Sequence, residues 1–153
     1  MITLKNILCP IDYSIYSEIA LKYAIEFAER YRAKLFLIHV LDSRSYDVDD
    51  LEIHGTEITD KEAIDSLKTK LLTCVNEETK NKITVEAIVL YGVPFSEIIT
   101  ASKKYQIDLI VLGTHGRTGL VHAIMGSVAE KVIRKATCPV ITIRHPEREF
   151  IMP

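Results

Sequence analysis

The sequence predicts an α/β fold: a single domain with an open parallel five-stranded sheet and helices on both faces. The chain has 153 residues and a mass of 17.3 kDa, which suits one ordinary domain. Five short apolar runs alternate with four longer stretches of helical periodicity. The run 109–112 is apolar throughout, as expected for a strand that is covered on both faces. Because strict alternation requires crossover helices, the strands are expected to be parallel.

The first two predicted strands flank the first predicted helix. The run 6–11 predicts a buried strand that ends near Pro10, because proline cannot donate to a sheet ladder. Ser14 is a suitable N-cap for the helix that follows. The second predicted strand is the apolar run 35–41. Apolar residues recur every four positions along the intervening helix, at Ile15, Ile19, Tyr23, Phe27 and Tyr31.

The rest of the chain continues the alternation after a polar, acidic stretch at 43–54, which is predicted to be a loop. Pro94 is placed to begin a helix, where its missing N–H costs nothing. The domain is expected to span residues 1–145, followed by a tail at 146–153 that has no evident element. The later elements are predicted as a helix from about Glu57 to Lys80, a strand at 84–91, a helix from Pro94, a strand at 109–112, a helix at 127–136 and a strand at Val140–Ile143.

Composition excludes several classes of function. A net charge of −2 provides no global basic field that would recruit nucleic acid. No apolar run approaches the roughly 18–20 residues of a membrane span, and the N-terminus lacks the features of a signal peptide. Cys9, Cys74 and Cys138 show no metal-binding spacing and are expected to be thiols in a reducing cytoplasm. Neither a nucleic acid nor a membrane is therefore expected as a partner.

A glycine-rich loop follows the fourth strand, at an edge of the sheet where ligands bind in such folds. Residues 113–126 contain four of the six glycines in the chain. Glycine lets backbone N–H groups approach a ligand closely, and the first N–H groups of a helix attract anions. Gly126-Ser127 is thus a candidate phosphate seat, with Arg117 available to neutralise charge. The alternative is a tight turn that has only a structural role.

The loop matches neither of the common nucleotide fingerprints. No lysine follows Gly126, as a P-loop would require, and the first βα turn has no glycine, as a dinucleotide fold would require. The spacing Gly113-x2-Gly116-x9-Gly126-Ser127 instead resembles the ATP-binding signature of the universal stress protein family. Flanking segments are also similar to the family, and the resemblance covers nearly the whole chain: 7–14, 39–40, 108–117, 126–129 and 138–140.

The resemblance implies a Rossmann-like sheet of the adenine nucleotide alpha hydrolase-like type, in a cytoplasmic stress-response protein that is often a homodimer. It also implies ATP as the ligand, with or without Mg²⁺. Residues 113–116 would follow the phosphates and ribose, 126–128 would hold the phosphates, and 10, 11 and 40 would line the adenine pocket. Asp12 would reach ribose, adenine or a metal. The implied site consists of Pro10, Ile11, Asp12, Val40, Gly113, His115, Gly116, Arg117, Gly126, Ser127 and Val128.

Several of these residues have an alternative interpretation. Ile11 stands where the family usually has threonine, so a side-chain hydrogen bond is lost there while apolar and backbone contacts remain. Asp12 could instead form an Asx turn that caps the following helix. Asp42 lies on the same rim and is assigned to the loop, and His39 is expected to be a satisfied core histidine. His115 could donate to a phosphate, but no orienting partner for a catalytic base is evident.

Three functions are compatible with these residues. A nucleotide-binding regulatory module is favoured, because phosphoryl transfer needs positioned cations and a nucleophile, and only Arg117 is evident. The alternatives are a slow ATPase or nucleotidyl transferase and a nucleotide-free adaptor of the same fold. A homodimer is expected through the last strand, Val140–Ile143, because an edge strand tends to be paired or covered.

Overall fold

The computed structural model describes residues 1–45, 53–54, 57–58, 60–116 and 125–145. Arg117 and the predicted tail at 146–153 lie outside these ranges. The strands are β1 (Asn6–Pro10), β2 (Lys34–Asp42), β3 (Ile53–His54), β4 (Glu57–Ile58), β5 (Val85–Gly92), β6 (Leu109–Gly113) and β7 (Val140–Ile143). The helices are α1 (Ile15–Tyr31), α2 (Lys61–Leu72), α3 (Glu77–Lys82), α4 (Pro94–Lys104) and α5 (Ser127–Lys135).

Five strands form a parallel sheet in the order β5-β2-β1-β6-β7. Ile7 of β1 lies opposite Leu35 of β2 on one side and Leu109 of β6 on the other. The direction in which strands are added therefore reverses at β1, while β5 and β7 occupy the two edges. The predicted α/β class and its five strands are confirmed, each to within one residue at either end.

Helices cover both faces of the sheet, because successive strand residues point to opposite sides. Ile7 and Cys9 belong to the core beneath α1 and α2, whereas Leu8 belongs to the core beneath α4 and α5. β1 and β6 are buried almost throughout, and this explains why their sequences are continuously apolar.

The packing of α1 differs from its predicted apolar stripe. Ser14 is the N-cap, as predicted, and its hydroxyl accepts a hydrogen bond from Ser17 N at 3.3 Å. The face that meets the sheet is however the small one, which comprises Ser17, Ala20, Leu21, Ala24 and Ala28. Ile15 and Tyr23 are both 49% exposed. Small side chains let the helix axis approach the sheet closely, so the larger residues are displaced to the sides.

The predicted helix from Glu57 to Lys80 is wrong at its start and in its middle. Glu57–Ile58 is a short strand that pairs antiparallel with Ile53–His54, so the predicted loop at 43–54 also ends too late. The helical segment is divided into α2 and α3. The Asn76 side chain accepts from Thr79 N at 2.8 Å and begins α3 as an N-cap. Asparagine competes with helical hydrogen bonding in this way, which favours a break over one long helix.

The remaining elements agree with the sequence. α4 begins at Pro94, α5 begins at Ser127, and β7 has the predicted bounds. α5 ends at Lys135, one residue before its predicted end. Among the described helices, none has the length and apolar character that a membrane crossing requires.

Candidate functional site

A cavity of about 560 Å³ opens at the carboxyl edge of the sheet, where the strand order reverses. Its walls come from the ends of β1, β2 and β6 and from the first turns of α4 and α5. All the described residues that the sequence assigns to the site line it: Pro10, Ile11, Asp12, Val40, Gly113, His115, Gly116, Gly126, Ser127 and Val128. Arg117, the remaining candidate, lies outside the described residues.

One end of the cavity presents backbone groups of β2. The backbone N–H and C=O groups of alternate residues in this strand point toward β1. Lys34 N donates to Lys5 O, and Ile38 O accepts from Ile11 N, both at 2.8 Å. Val40 has the same parity and lies beyond the end of β1, so its N–H and C=O are directed toward the cavity that it lines. The strand end therefore offers one donor and one acceptor side by side.

Asp12 connects the β1 end to both α1 and the glycine-rich loop. Its Oδ1 accepts from Ser14 N at 2.9 Å and from Ser14 Oγ at 2.6 Å, which is the Asx turn that the sequence offered as an alternative. Its Oδ2 lies so close to Gly116 that a Cβ on that glycine would sit 2.9 Å from it. The carboxylate also lines the cavity, so the turn and a ligand contact are compatible roles.

The glycines of the loop permit close backbone contacts. A Cβ on Gly113 would lie 2.8 Å from backbone atoms of Tyr16, which leaves no room for any other residue. Gly126 N donates to Thr114 O at 2.6 Å and thereby joins the start of α5 to the end of β6. A Cβ on Gly126 would meet Thr114 O at 3.3 Å. These contacts hold residues 113–116 against the first turns of α1 and α5.

The amino end of α5 is a favourable place for an anion in the cavity. Its N-cap is Gly126, which has no side chain to cap the helix, and Gly126 O accepts from Glu130 N at 3.0 Å. The N–H groups of the first turn consequently face the cavity at the positive end of the helix dipole. Ser127 and Val128 both line the cavity there. This arrangement suits a phosphate group.

His115 is buried beside the loop and has partners that the sequence did not reveal. Its Nδ1 lies 3.0 Å from Thr114 Oγ1, and its ring lies 5.2 Å from that of Tyr16, measured between centroids. The Tyr16 ring in turn lies 6.1 Å from the His145 ring. The Thr114 hydroxyl can therefore orient the imidazole.

Asp42 and Arg44 are part of the cavity wall, although neither was assigned to the site from the sequence. Asp42 is the last residue of β2 and not a loop residue. The Arg44 guanidinium contacts its carboxylate twice, from Nε to Oδ1 at 2.9 Å and from an Nη to Oδ2 at 2.6 Å. These hydrogen bonds hold the Asp42 pKa below its ordinary value. The sequence placed Asp42 on this rim but assigned it to the loop, and nothing in the sequence singled out Arg44, which lies far from the glycine motif.

His39 agrees with its interpretation as a satisfied core histidine. It is 6% exposed, and its Nδ1 lies 2.7 Å from Ile11 O. The ring also lies 4.9 Å from the Tyr13 ring, measured between centroids. Across the described ranges of the chain, no group of three or more His, Cys, Asp or Glu residues is arranged to hold a metal ion.

Comparison with known proteins connects this architecture to a family. A family model described as the universal stress protein family matches residues 3–144. The chain belongs to this family. Universal stress protein MJ0531 of Methanocaldococcus jannaschii is 37% identical over 150 residues, which cover 95% of this chain and 85% of that protein.

Solved structures of universal stress proteins share the fold. The structure of MJ0577 superposes with a TM-score of 0.77 at 30% identity and covers 95% of this chain and 99% of its own. A universal stress protein from Archaeoglobus fulgidus, solved in complex with dAMP, superposes with a TM-score of 0.62 at 25% identity. That match covers 94% of this chain and 99% of the other. The family and the five-stranded parallel sheet are thus established together.

Proposed function

We propose that this universal stress protein binds ATP at the carboxyl edge of its sheet and acts mainly as a nucleotide-dependent binding module in a stress response. One observation carries the proposal: a single cavity joins the uncapped amino end of α5 to the outward-facing backbone of Val40. The amino end of α5 suits phosphates, and the Val40 backbone suits a base. The dAMP complex of the related Archaeoglobus fulgidus protein supports an adenine nucleotide as the class of ligand.

Adenine complements the β2 end of the cavity. Its N1 accepts a hydrogen bond and its 6-amino group donates one, which matches the N–H and C=O of Val40. A 6-oxo purine offers the opposite order, a donor at N1 and an acceptor at O6. Ile11, Pro94 and Ile98 add apolar surface to the cavity lining. The hydroxyl that Ile11 lacks is therefore not needed for reading the base.

The phosphates are assigned to residues 113–116 and to the first turn of α5. Backbone N–H groups supply most of the donors, and Ser127 adds its hydroxyl. Where Mg²⁺ accompanies ATP, Asp12 would hold it, since magnesium is commonly bound by one or two carboxylates together with phosphate oxygens. The metal would offset the repulsion between this carboxylate and the phosphates. Without a metal, Asp12 is suited to a ribose hydroxyl.

A binding module is favoured over an enzyme by the chemistry of the cavity wall. Phosphoryl transfer needs positioned cations and an oriented nucleophile. Within the described residues, the cavity lining includes no lysine, and its arginine, Arg44, lies at the base end in an ion pair with Asp42. A single-turnover assay with labelled ATP separates the alternatives. Rapid product formation that Asp12→Ala abolishes would establish a transferase or ATPase and overturn the binding-module proposal.

Calorimetry with ATP tests the proposed site directly. Gly126→Val is expected to weaken ATP binding at least about tenfold, because its side chain would push residues 114–116 away from the start of α5. Thr137→Val is the matched control, since it introduces the same side chain at an exposed position beyond α5. Wild-type protein that binds no ATP at millimolar ligand would instead favour the nucleotide-free adaptor. Mass spectrometry of any copurifying nucleotide identifies the natural ligand.

The same proposal includes a homodimer that forms through β7 and a cytoplasmic location. β7 lies at an edge of the sheet and all four of its residues are half-buried. All three cysteines are free thiols, which suits a reducing compartment. Pairing of two copies would create an interface that nucleotide binding can alter.

A further inference from the structure

We propose that His39 is a positioning residue for the nucleotide base. Its ring engages the Ile11 carbonyl, which the sheet ladder would otherwise use, and so leaves the Val40 N–H directed toward the ligand. The inference rests on the proposed function and deepens it, because it assigns the selectivity for 6-amino purines to a buried side chain of β2 that itself lines the cavity.

The hydrogen-bond ladder between β1 and β2 stops one step early. Along a parallel ladder the bonds alternate in direction, and the final one runs from Ile11 N to Ile38 O at 2.8 Å. The next bond in the series would run from Val40 N to Ile11 O. Among the described residues, that bond is not formed. Ile11 O is instead 2.7 Å from His39 Nδ1.

The geometry defines the state of the His39 ring. A carbonyl oxygen only accepts, so Nδ1 carries the hydrogen in this contact. The ring is buried and lies against Tyr13, whose own ring is covered by Lys70 Nζ at 4.5 Å. Tyr13 has a φ of 64°, which turns the chain out of the β1 direction immediately after Asp12. His39 therefore secures the carbonyl at the point where the chain leaves the sheet.

Two donors compete for the Ile11 carbonyl. While the imidazole occupies it, the Val40 N–H and C=O remain together on the cavity side of β2, as a donor and acceptor pair. If the imidazole donor is lost, the Val40 N–H is the nearest backbone donor by ladder register, and bonding to Ile11 O satisfies both groups. The cavity would then keep an acceptor but lose the donor that complements adenine N1. Selectivity for adenine over a 6-oxo base would fall.

Three variants test the inference. His39→Phe keeps a ring against Tyr13 but removes the donor, and His39→Asn places an amide N–H close to the position of Nδ1. His145→Phe is the control, because it changes another histidine that contacts a tyrosine ring, that of Tyr16, without altering the β2 end. Calorimetry measures the Kd of each protein for ATP and for inosine triphosphate, the 6-oxo analogue. Thermal unfolding verifies that each variant is folded.

Wild-type protein is expected to prefer ATP over inosine triphosphate by about tenfold or more, because the wrong base edge leaves buried polar groups unpaired. In His39→Phe that ratio should fall below about threefold, mainly through weaker ATP binding. His39→Asn should restore most of the preference, and His145→Phe should retain it. A second measurement is hydrogen exchange at the Val40 amide without nucleotide, which should slow in His39→Phe as the ladder extends.

The outcomes separate this inference from the proposed function. An unchanged preference in folded His39→Phe, or unchanged exchange at Val40, overturns the role of His39 while ATP binding stands. If His39→Asn behaves like His39→Phe, the ring and not its hydrogen bond is responsible, which also overturns it. Wild-type protein that binds neither nucleotide overturns the proposed function, whereas the exchange experiment then still tests the competition for Ile11 O.

Discussion

The Cys9 thiol lies in the middle of β1 and is fully enclosed by the core beneath α1 and α2. Burial disfavours the charged thiolate and raises the Cys9 pKa far above its ordinary value. Cys74 is exposed and Cys138 is half-buried, and partial burial raises the pKa of each as well. Because the thiolate is the nucleophile, exposure and burial together set a reactivity order for the three residues.

Alkylation of the native protein by iodoacetamide should follow that order. Cys74 is expected to be labelled first and Cys138 more slowly, and labelling of Cys74 should accelerate as the pH rises toward its raised pKa. Cys9 should react only after unfolding in guanidinium chloride. Peptide mass spectrometry over time measures all three rates. Labelling of Cys9 in native protein at the rate of Cys74 would contradict the enclosed position of its thiol.

At the scale of elements, the helices differ in how they begin. Side chains cap α1, α2 and α3, through Ser14, Asp60 and Asn76 respectively. α4 and α5 have no side-chain cap, and their first turns line the cavity. A side-chain cap contributes to stability by satisfying an amide that otherwise lacks a partner. At the start of α5 that amide is instead directed toward the cavity, where a ligand can satisfy it.

Removing the cap of α2 should therefore affect stability without affecting the cavity. Asp60 accepts from Ala63 N at 3.0 Å, and Asp60→Ala is expected to lower the free energy of unfolding by about 1 kcal/mol. Asp65→Ala, on the exposed face of the same helix, is the matched control and should cause no loss. Urea denaturation measures both. A loss of ATP affinity in Asp60→Ala comparable with that of Gly126→Val would contradict the separation of the two regions.

At the scale of the whole molecule, sheet order determines both the site and the free edge. The cavity forms at the end of β1 because the two strands that pair with β1, β2 and β6, lie on opposite sides of it. Among the described strands, β7 pairs only with β6, and the outer edge of β7 is formed by the backbone of Val140 and Thr142. The backbone groups of Ile141 and Ile143 point the other way, toward β6, as the hydrogen bond from Thr114 N to Ile143 O shows. A second copy could add to that outer edge.

Thr142→Pro isolates this edge, because proline removes one outward N–H while the ladder to β6 uses other residues. Light scattering at micromolar concentration should give a dimer for the wild type and a monomer for Thr142→Pro. Thr142→Val keeps the N–H and should remain dimeric. A monomeric wild type, or a Thr142→Pro variant that still dimerises, would be inconsistent with pairing through β7.

Much of this molecule could be predicted because the signals are local. These signals are the short apolar runs, the cap Ser14, the helix start at Pro94 and the glycine at 126. Each acts through neighbours in sequence, and all are found where expected. The candidate site was also predictable, because the glycine spacing resembles that of a known family and the carboxyl edge of a parallel sheet gathers its loops.

The sequence by itself thus determined the α/β class, the five strands of the parallel sheet and part of the cavity lining. Only the tertiary structure decided that alanines form the buried face of α1, that Asp42 and Arg44 join the cavity wall, and that the Ile11 carbonyl bonds to a ring 28 positions away. Periodicity and turn chemistry depend on nearby residues, and so they can be recognised in sequence. Helix approach and ladder termination depend on partners that are distant in the chain and adjacent only after folding.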